Sequence, residues 1–125
     1  MHLPLKLVGG DRITLNLAHL LWIEEVGTTS RFRLVPDILG RGEDTLLVAE
    51  TFGAFEALPG LCPARAVRPH EEPRRILVNL ALVVTGTPCA EGTLLRLATR
   101  AEPRKLLVDT GFDTWSAAIA SGSCG

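Results

Sequence analysis

Two asparagines stand in this chain of 125 residues, and both sit inside one phrase: Ile13-Thr14-Leu15-Asn16-Leu17-Ala18 and Ile76-Leu77-Val78-Asn79-Leu80-Ala81. A matched pair of amides could hold one ligand symmetrically. The other account is structural: Asn tolerates left-handed dihedrals and bonds its own backbone, so it marks corners between strands. The alternating residues around them favour corners for Asn16 and Asn79. Glu24 and Glu25 could form an acid–base pair, but neighbours on a strand point to opposite faces, and a solvated strand end is the better account. His2, His19 and His70 form no closely spaced pairs with Cys62, Cys89 or Cys124, as zinc would require, and no Ser or Cys sits in a nucleophile elbow. No catalytic residue, metal or cofactor is therefore expected. Three cysteines without a C-x-x-C also argue against a disulfide framework.

The arginines carry more weight. Arg31 and Arg33 share one face of an alternating segment, Arg96 repeats Arg33, and Arg100 and Arg104 follow. A face made of Arg31, Arg33, Arg96, Arg100 and Arg104 could contact phosphates or another anion. A net charge of −1 gives no broad nucleic-acid surface. Base stacking needs exposed aromatics, whereas Trp22, Phe32, Phe52, Phe55, Phe112 and Trp115 fall mostly at core positions. A solvated sheet face is favoured over nucleic-acid binding.

Strands must position these groups. Apolar residues make up 46% and charged residues 22%, which suits a globular chain. Period-two alternation bounded by Gly, Pro and Thr predicts strands at residues 3–8, 12–17, 19–26, 31–35 and 45–49, with Gly9-Gly10-Asp11 as a hairpin turn. The pattern then recurs. With the asparagines superposed, Ile13, Asn16, Leu17 and Ala18 fall on Ile76, Asn79, Leu80 and Ala81, and Arg33-Leu34 falls on Arg96-Leu97. After one short gap Leu46-Leu47-Val48 falls on Leu106-Leu107-Val108, Phe52 on Phe112 and Phe55 on Trp115. Each copy ends in a short amphipathic helical pattern, 51–58 and 112–119, with Thr51 and Thr110 or Asp113 as candidate caps.

In the first copy, Gly10-Asp11-x-Ile13-x-Leu15-Asn16, Leu20-x-x-Ile23-Glu24, Leu34 and Val48-x-Glu50-Thr51-Phe52 resemble the FlbD-type family of small flagellar proteins. The resemblance covers residues 3–58. A degenerate second copy over 66–121 keeps Asn79, Leu97 and Val108 but has Thr110 where Glu50 stands. The resemblance implies a small, non-enzymatic, β-rich accessory protein, and brings no catalytic residues.

The expected architecture is mainly β with two short helices, an internal tandem duplication of a hairpin/meander-plus-helix unit forming one pseudo-twofold domain. Residues 1–58 are the first repeat, 59–74 a Pro/Arg-rich linker in which Pro69 and Pro73 spoil a central strand, and 75–121 the second repeat. The repeats should pack as one unit around Trp22, Phe32, Leu34, Phe55, Leu97 and Trp115. The expected function is that of a non-catalytic accessory or assembly module working through protein–protein contact or self-association. The alternative is a regulatory protein binding nucleic acid or an anionic ligand through the arginine face. No run reaches the ~18–20 apolar residues of a membrane span, and the first residues lack a signal-peptide pattern, so a cytoplasmic location is expected.

Overall fold

The alternating segments become strands. The computed structural model describes residues 1–36, 39, 44–100 and 102–124. Its strands are β1 (His2–Lys6), β2 (Arg12–Asn16), β3 (Leu20–Val26), β4 (Thr29–Leu34), β5 (Thr45–Val48), β6 (Leu61–Ala66), β7 (Arg74–Asn79), β8 (Val83–Cys89), β9 (Gly92–Leu97) and β10 (Arg104–Val108), and one helix follows, α1 (Phe112–Ser121). The protein is mainly β. An eight-stranded antiparallel sheet runs β5-β4-β3-β7-β6-β10-β9-β8, and β1-β2 form a two-stranded sheet. The two sheets are joined through a single bridge, Leu7 to Val48, beside the bonds Val8 N to Leu47 O (3.0 Å) and Ala49 N to Lys6 O (2.8 Å). The strands thus form one belt whose ends are β2 and β8.

The two halves follow the same order of elements, down to individual bonds. Asn16 Oδ1 accepts from Ala18 N (3.0 Å) and Asn79 Oδ1 from Ala81 N (3.2 Å), each capping a short 3-10 turn between two strands. The register slips between Leu20 and Trp22 in β3 and between Val83 and Thr85 in β8. Ser30 Oγ donates to Glu50 O, and Thr93 Oγ1 to Thr110 O. The thin β1–β5 junction is matched by β6–β10, which share one register pair, Ala66 with Val108.

Apolar side chains gather in two clusters rather than around one centre. Phe32, Leu34 and Phe55 lie in the first, with Phe32 and Phe55 edge to face at 5.0 Å. Trp22, Leu97 and Trp115 lie in the second. The halves nonetheless exchange core residues: Leu61 and Leu77 complete the first cluster, and Leu21, Trp22 and Val35 the second.

Four expectations need correction. Among the described residues only 112–121 form an α-helix; the pattern at 51–58 yields a 3-10 turn, Phe52–Phe55. Pro59 restricts Leu58 and ends that segment before a second helical turn can form. Secondly, no side chain caps α1, whose N-cap is Gly111, so Thr110 and Asp113 do not serve there. Thirdly, the expected linker contains a strand: β6 opens the second half as β1 opens the first, and only residues 67–73 connect β6 to β7. Pro63 is tolerated because this part of β6 pairs with β7 on one side and meets β10 only at Ala66, so it is an edge. Fourthly, Cys62 and Cys124 are joined in a disulfide (Cα–Cα 5.7 Å), since the start of β6 lies beside the chain leaving α1. Cys89 is free and exposed. Among the described residues no helix is long and apolar enough to cross a membrane. The expected loop at 36–44 falls largely outside the described residues.

Gly92 closes the β8–β9 hairpin with φ +147°, and a Cβ there would come within 2.2 Å of Val108 O. The Gly92→Ala protein should therefore lose on the order of 2 kcal/mol, read as a lowered urea midpoint with an unchanged slope.

Candidate functional site

The sheet is continuous across its middle because β3 of one half pairs with β7 of the other. The register sets Trp22 opposite Val78, Ile23 opposite Leu77 and Glu24 opposite Ile76. Leu20, Leu21, Trp22, Ile23 and Glu24 are all at most 2% exposed. Trp22 and Glu24 point to one face, being two apart on a strand, and Trp22 Nε1 donates to Glu24 Oε1 at 2.9 Å. A carboxylate buried this completely needs opposite charge. Arg31 (3.7 Å) and Arg33 (4.0 Å) approach it from β4, and Arg68 and Arg74 (3.7 Å) from the other half, with Arg68 bonded directly to Oε1. Burial alone would raise the Glu24 carboxyl. The hydrogen bonds from Arg68 and Trp22 and the charges of Arg68 and Arg33 outweigh it and hold the group below its ordinary value.

The opposite face of the seam has its own ties. Arg75 bonds Glu25 (3.1 Å) and Glu56, and its guanidinium lies 5.0 Å above the Phe52 ring. At the corner, Asn79 spans the two halves. While Oδ1 caps its own turn, Nδ2 donates to Leu17 O (3.0 Å) and Leu20 O (2.8 Å) on the corresponding turn of the first half. Asn16 makes the cap alone: its Nδ2 has no hydrogen bond among the described residues. The expectation of two equivalent corners holds for the caps, and the structure adds a joint that only Asn79 makes.

The expected arginine face is divided. Arg31 and Arg33 face Glu24, and Arg33 and Arg104 also share Asp44 at 3.8 and 3.3 Å. Arg33 and Arg104 lie 5.7 and 5.8 Å over the Trp22 ring. They line a cleft of about 250 Å³ with Arg68 and Lys105, in which Arg33 Nε is buried without a hydrogen-bond partner. Burial lowers the Arg33 guanidinium from its ordinary value; Glu24 and Asp44 pull it back up, while Arg104 and Arg68 push it down. Arg96 stands apart and donates to Thr87 Oγ1 (3.3 Å), and Arg100 lines a separate cleft with Pro36, Glu102 and Lys105. Glu24 is thus no solvated strand end, which corrects the sequence-based expectation; Glu25, on the other face, is half exposed. Sequence reasoning missed Arg68 and Arg74 as its partners because both lay in the expected linker.

The two ends of the belt are built like the two strands of the seam but, among the described residues, carry no second neighbour. Val84 on β8, the counterpart of buried Leu21, is 57% exposed. Phe112, the counterpart of buried Phe52, is half exposed, and so is Ile13 on β2, the counterpart of fully buried Ile76. Among the described residues no group of three or more His, Cys, Asp or Glu could hold a metal ion. Compared with known proteins, the chain matches no family model, no curated protein and no solved structure.

Two predictions follow from the seam. Asn79→Asp keeps the capping oxygen but removes both donors to the first half, and should cost about 2–3 kcal/mol of stability in chemical denaturation; Asn16→Asp should cost under about 0.5 kcal/mol. Because the folded Glu24 carboxyl is depressed, its stabilisation is complete above the ordinary value of 4.5 and is lost as pH falls through the folded value. Glu24→Gln, which leaves the arginines without their counter-charge, should lose on the order of 3 kcal/mol at neutral pH. Stability measured against pH below 4.5 should fall less steeply in this variant than in the wild type.

Proposed function

We propose that the protein is a non-catalytic assembly module, built by tandem duplication of a five-strand unit, that binds other protein chains through the unpaired ends of its belt. One observation carries this reading: β2 and β8 are the open counterparts of two strands that already recognise each other inside the chain as β7 and β3. An open edge offers backbone donors and acceptors to any extended segment. The shared bulges, asparagine caps and Ser30/Thr93 bonds support duplication, since each is a detail that a chance likeness of strand order would not reproduce. The FlbD-type resemblance of residues 3–58 agrees with an accessory role.

A second reading, an anionic ligand in the cleft beside Trp22, is favoured by the buried, unpartnered Arg33 Nε among Arg68, Arg104 and Lys105. It ranks second because Glu24 and Asp44 already neutralise much of that charge.

Edge variants test the choice. Val84→Lys and Thr14→Lys place a charge on exposed edge positions. Native-host proteins retained by the wild type should be lost from one of these variants, while folding is unchanged. Retention on DNA should show a log-affinity against log-salt slope near zero. A steep slope with unaffected edge variants would favour the cleft instead.

A further inference from the structure

The internal seam specifies what fits the open ends. Superposing the halves by their asparagines puts β8 where β3 lies and β2 where β7 lies. Thr85, Gly86 and Thr87 then correspond to Trp22, Ile23 and Glu24, and Leu15, Thr14 and Ile13 to Val78, Leu77 and Ile76. We propose that β8 of one copy pairs antiparallel with β2 of a second copy in the seam's register: Thr85 opposite Leu15, Gly86 opposite Thr14 and Thr87 opposite Ile13. This inference rests on the assembly role proposed above and names the occupant of its edges.

Three independent features fit a second copy. The free Nδ2 of Asn16 is the same group that Asn79 uses to bond Leu17 O and Leu20 O. Its targets on the second copy are the carbonyls of Leu80 and Val83, which occupy the corresponding places on the second 3-10 turn. Next, a groove of about 350 Å³ lies along β8 and α1, lined by Thr85, Gly86, Phe112, Ser116, Ile119 and Ala120. At the corresponding place in the seam sits β7, with Arg75 above Phe52. Arg12 of the second copy would stand over Phe112 in the same way. Lastly, the apolar positions that are half exposed in the single chain, Ile13 and Phe112, are those whose counterparts the seam buries.

The contact is weaker than the internal seam. Thr85 and Thr87 replace Trp22 and Glu24, so the arginine clamp has no equivalent. Pro88 has no N–H to give a ladder, but it corresponds to Glu25, one residue beyond the last paired residue of the seam. Each copy offers one β8 and one β2, so association is head to tail. Two copies close on themselves if the rotation allows it and otherwise extend.

Register-specific crosslinking tests this. In a Cys89→Ser background, Ile13→Cys and Thr87→Cys proteins are mixed under mild oxidation. The pair should form a disulfide-linked heterodimer about tenfold or more faster than Arg12→Cys with Thr87→Cys, because a one-residue slip turns the side chain to the other face. Sedimentation velocity should show the wild type associating as concentration rises and Asn16→Asp remaining monomeric with an unchanged melting temperature. Equal crosslinking of the two pairs, or a wild type that stays monomeric at the highest concentration, would overturn the proposal. If partner retention in the edge-variant experiment still holds in that case, the assembly role stands and only its occupant is wrong.

Discussion

One buried carboxylate organises this protein. Glu24 lies at the centre of the sheet with no exposed surface, on the strand of the first half that pairs with the second. An unpaired carboxylate there would be prohibitive, and its four arginines come from both halves: Arg31 and Arg33 from β4, Arg68 and Arg74 from beyond β6. The cluster therefore acts only when the halves are docked. It makes the docking specific, because a shift of β7 against β3 by one residue would move Arg74 away from Glu24 and exchange Ile76 and Val78 with Leu77 between the two core clusters. Whether such a charge cluster adds net stability is a separate matter from specificity; the apolar exchange of Leu61 and Leu77 for Leu21, Trp22 and Val35 supplies the hydrophobic part.

The same constraint explains why corresponding strands of the two halves differ. Where β3 is covered, it carries Trp22, Ile23 and Glu24; where β8 is open, it carries Thr85, Gly86 and Thr87. An open edge with a tryptophan and an arginine-hungry carboxylate would be sticky and unstable alone. Thr, Gly and the nearby Pro88 moderate it. The asparagines show the reverse: the residue is identical in both halves, yet among the described residues only Asn79 uses its N–H donors.

Local pattern carried most of the fold. Strand positions, the turns at Asn16 and Asn79 and the helical pattern at 112–119 were legible because alternation and spacing are properties of a single segment. What failed depended on neighbours. Pro69 and Pro73 made the whole of 59–74 look like linker, although Pro63 in β6 stands where Pro4 stands in β1, a signal that a wider comparison of the halves contains. Glu24 looked solvated because burial is decided by which strand comes alongside, and its partners lay in that misassigned stretch. The arginines looked like a free face for the same reason. The Cys62–Cys124 bond joins residues 62 apart, a proximity that no spacing rule supplies.

Two like strands, β3 and β8, differ in that one is covered on both sides and the other on one. Backbone amide hydrogen exchange in dilute protein measures this directly. Exchange should be slow along all of Trp22–Glu24, which lies between β4 and β7, and fast at alternate amides of Thr85–Thr87, which has β9 on one side and, among the described residues, no strand on the other. Equal protection along both strands in the monomer would contradict it.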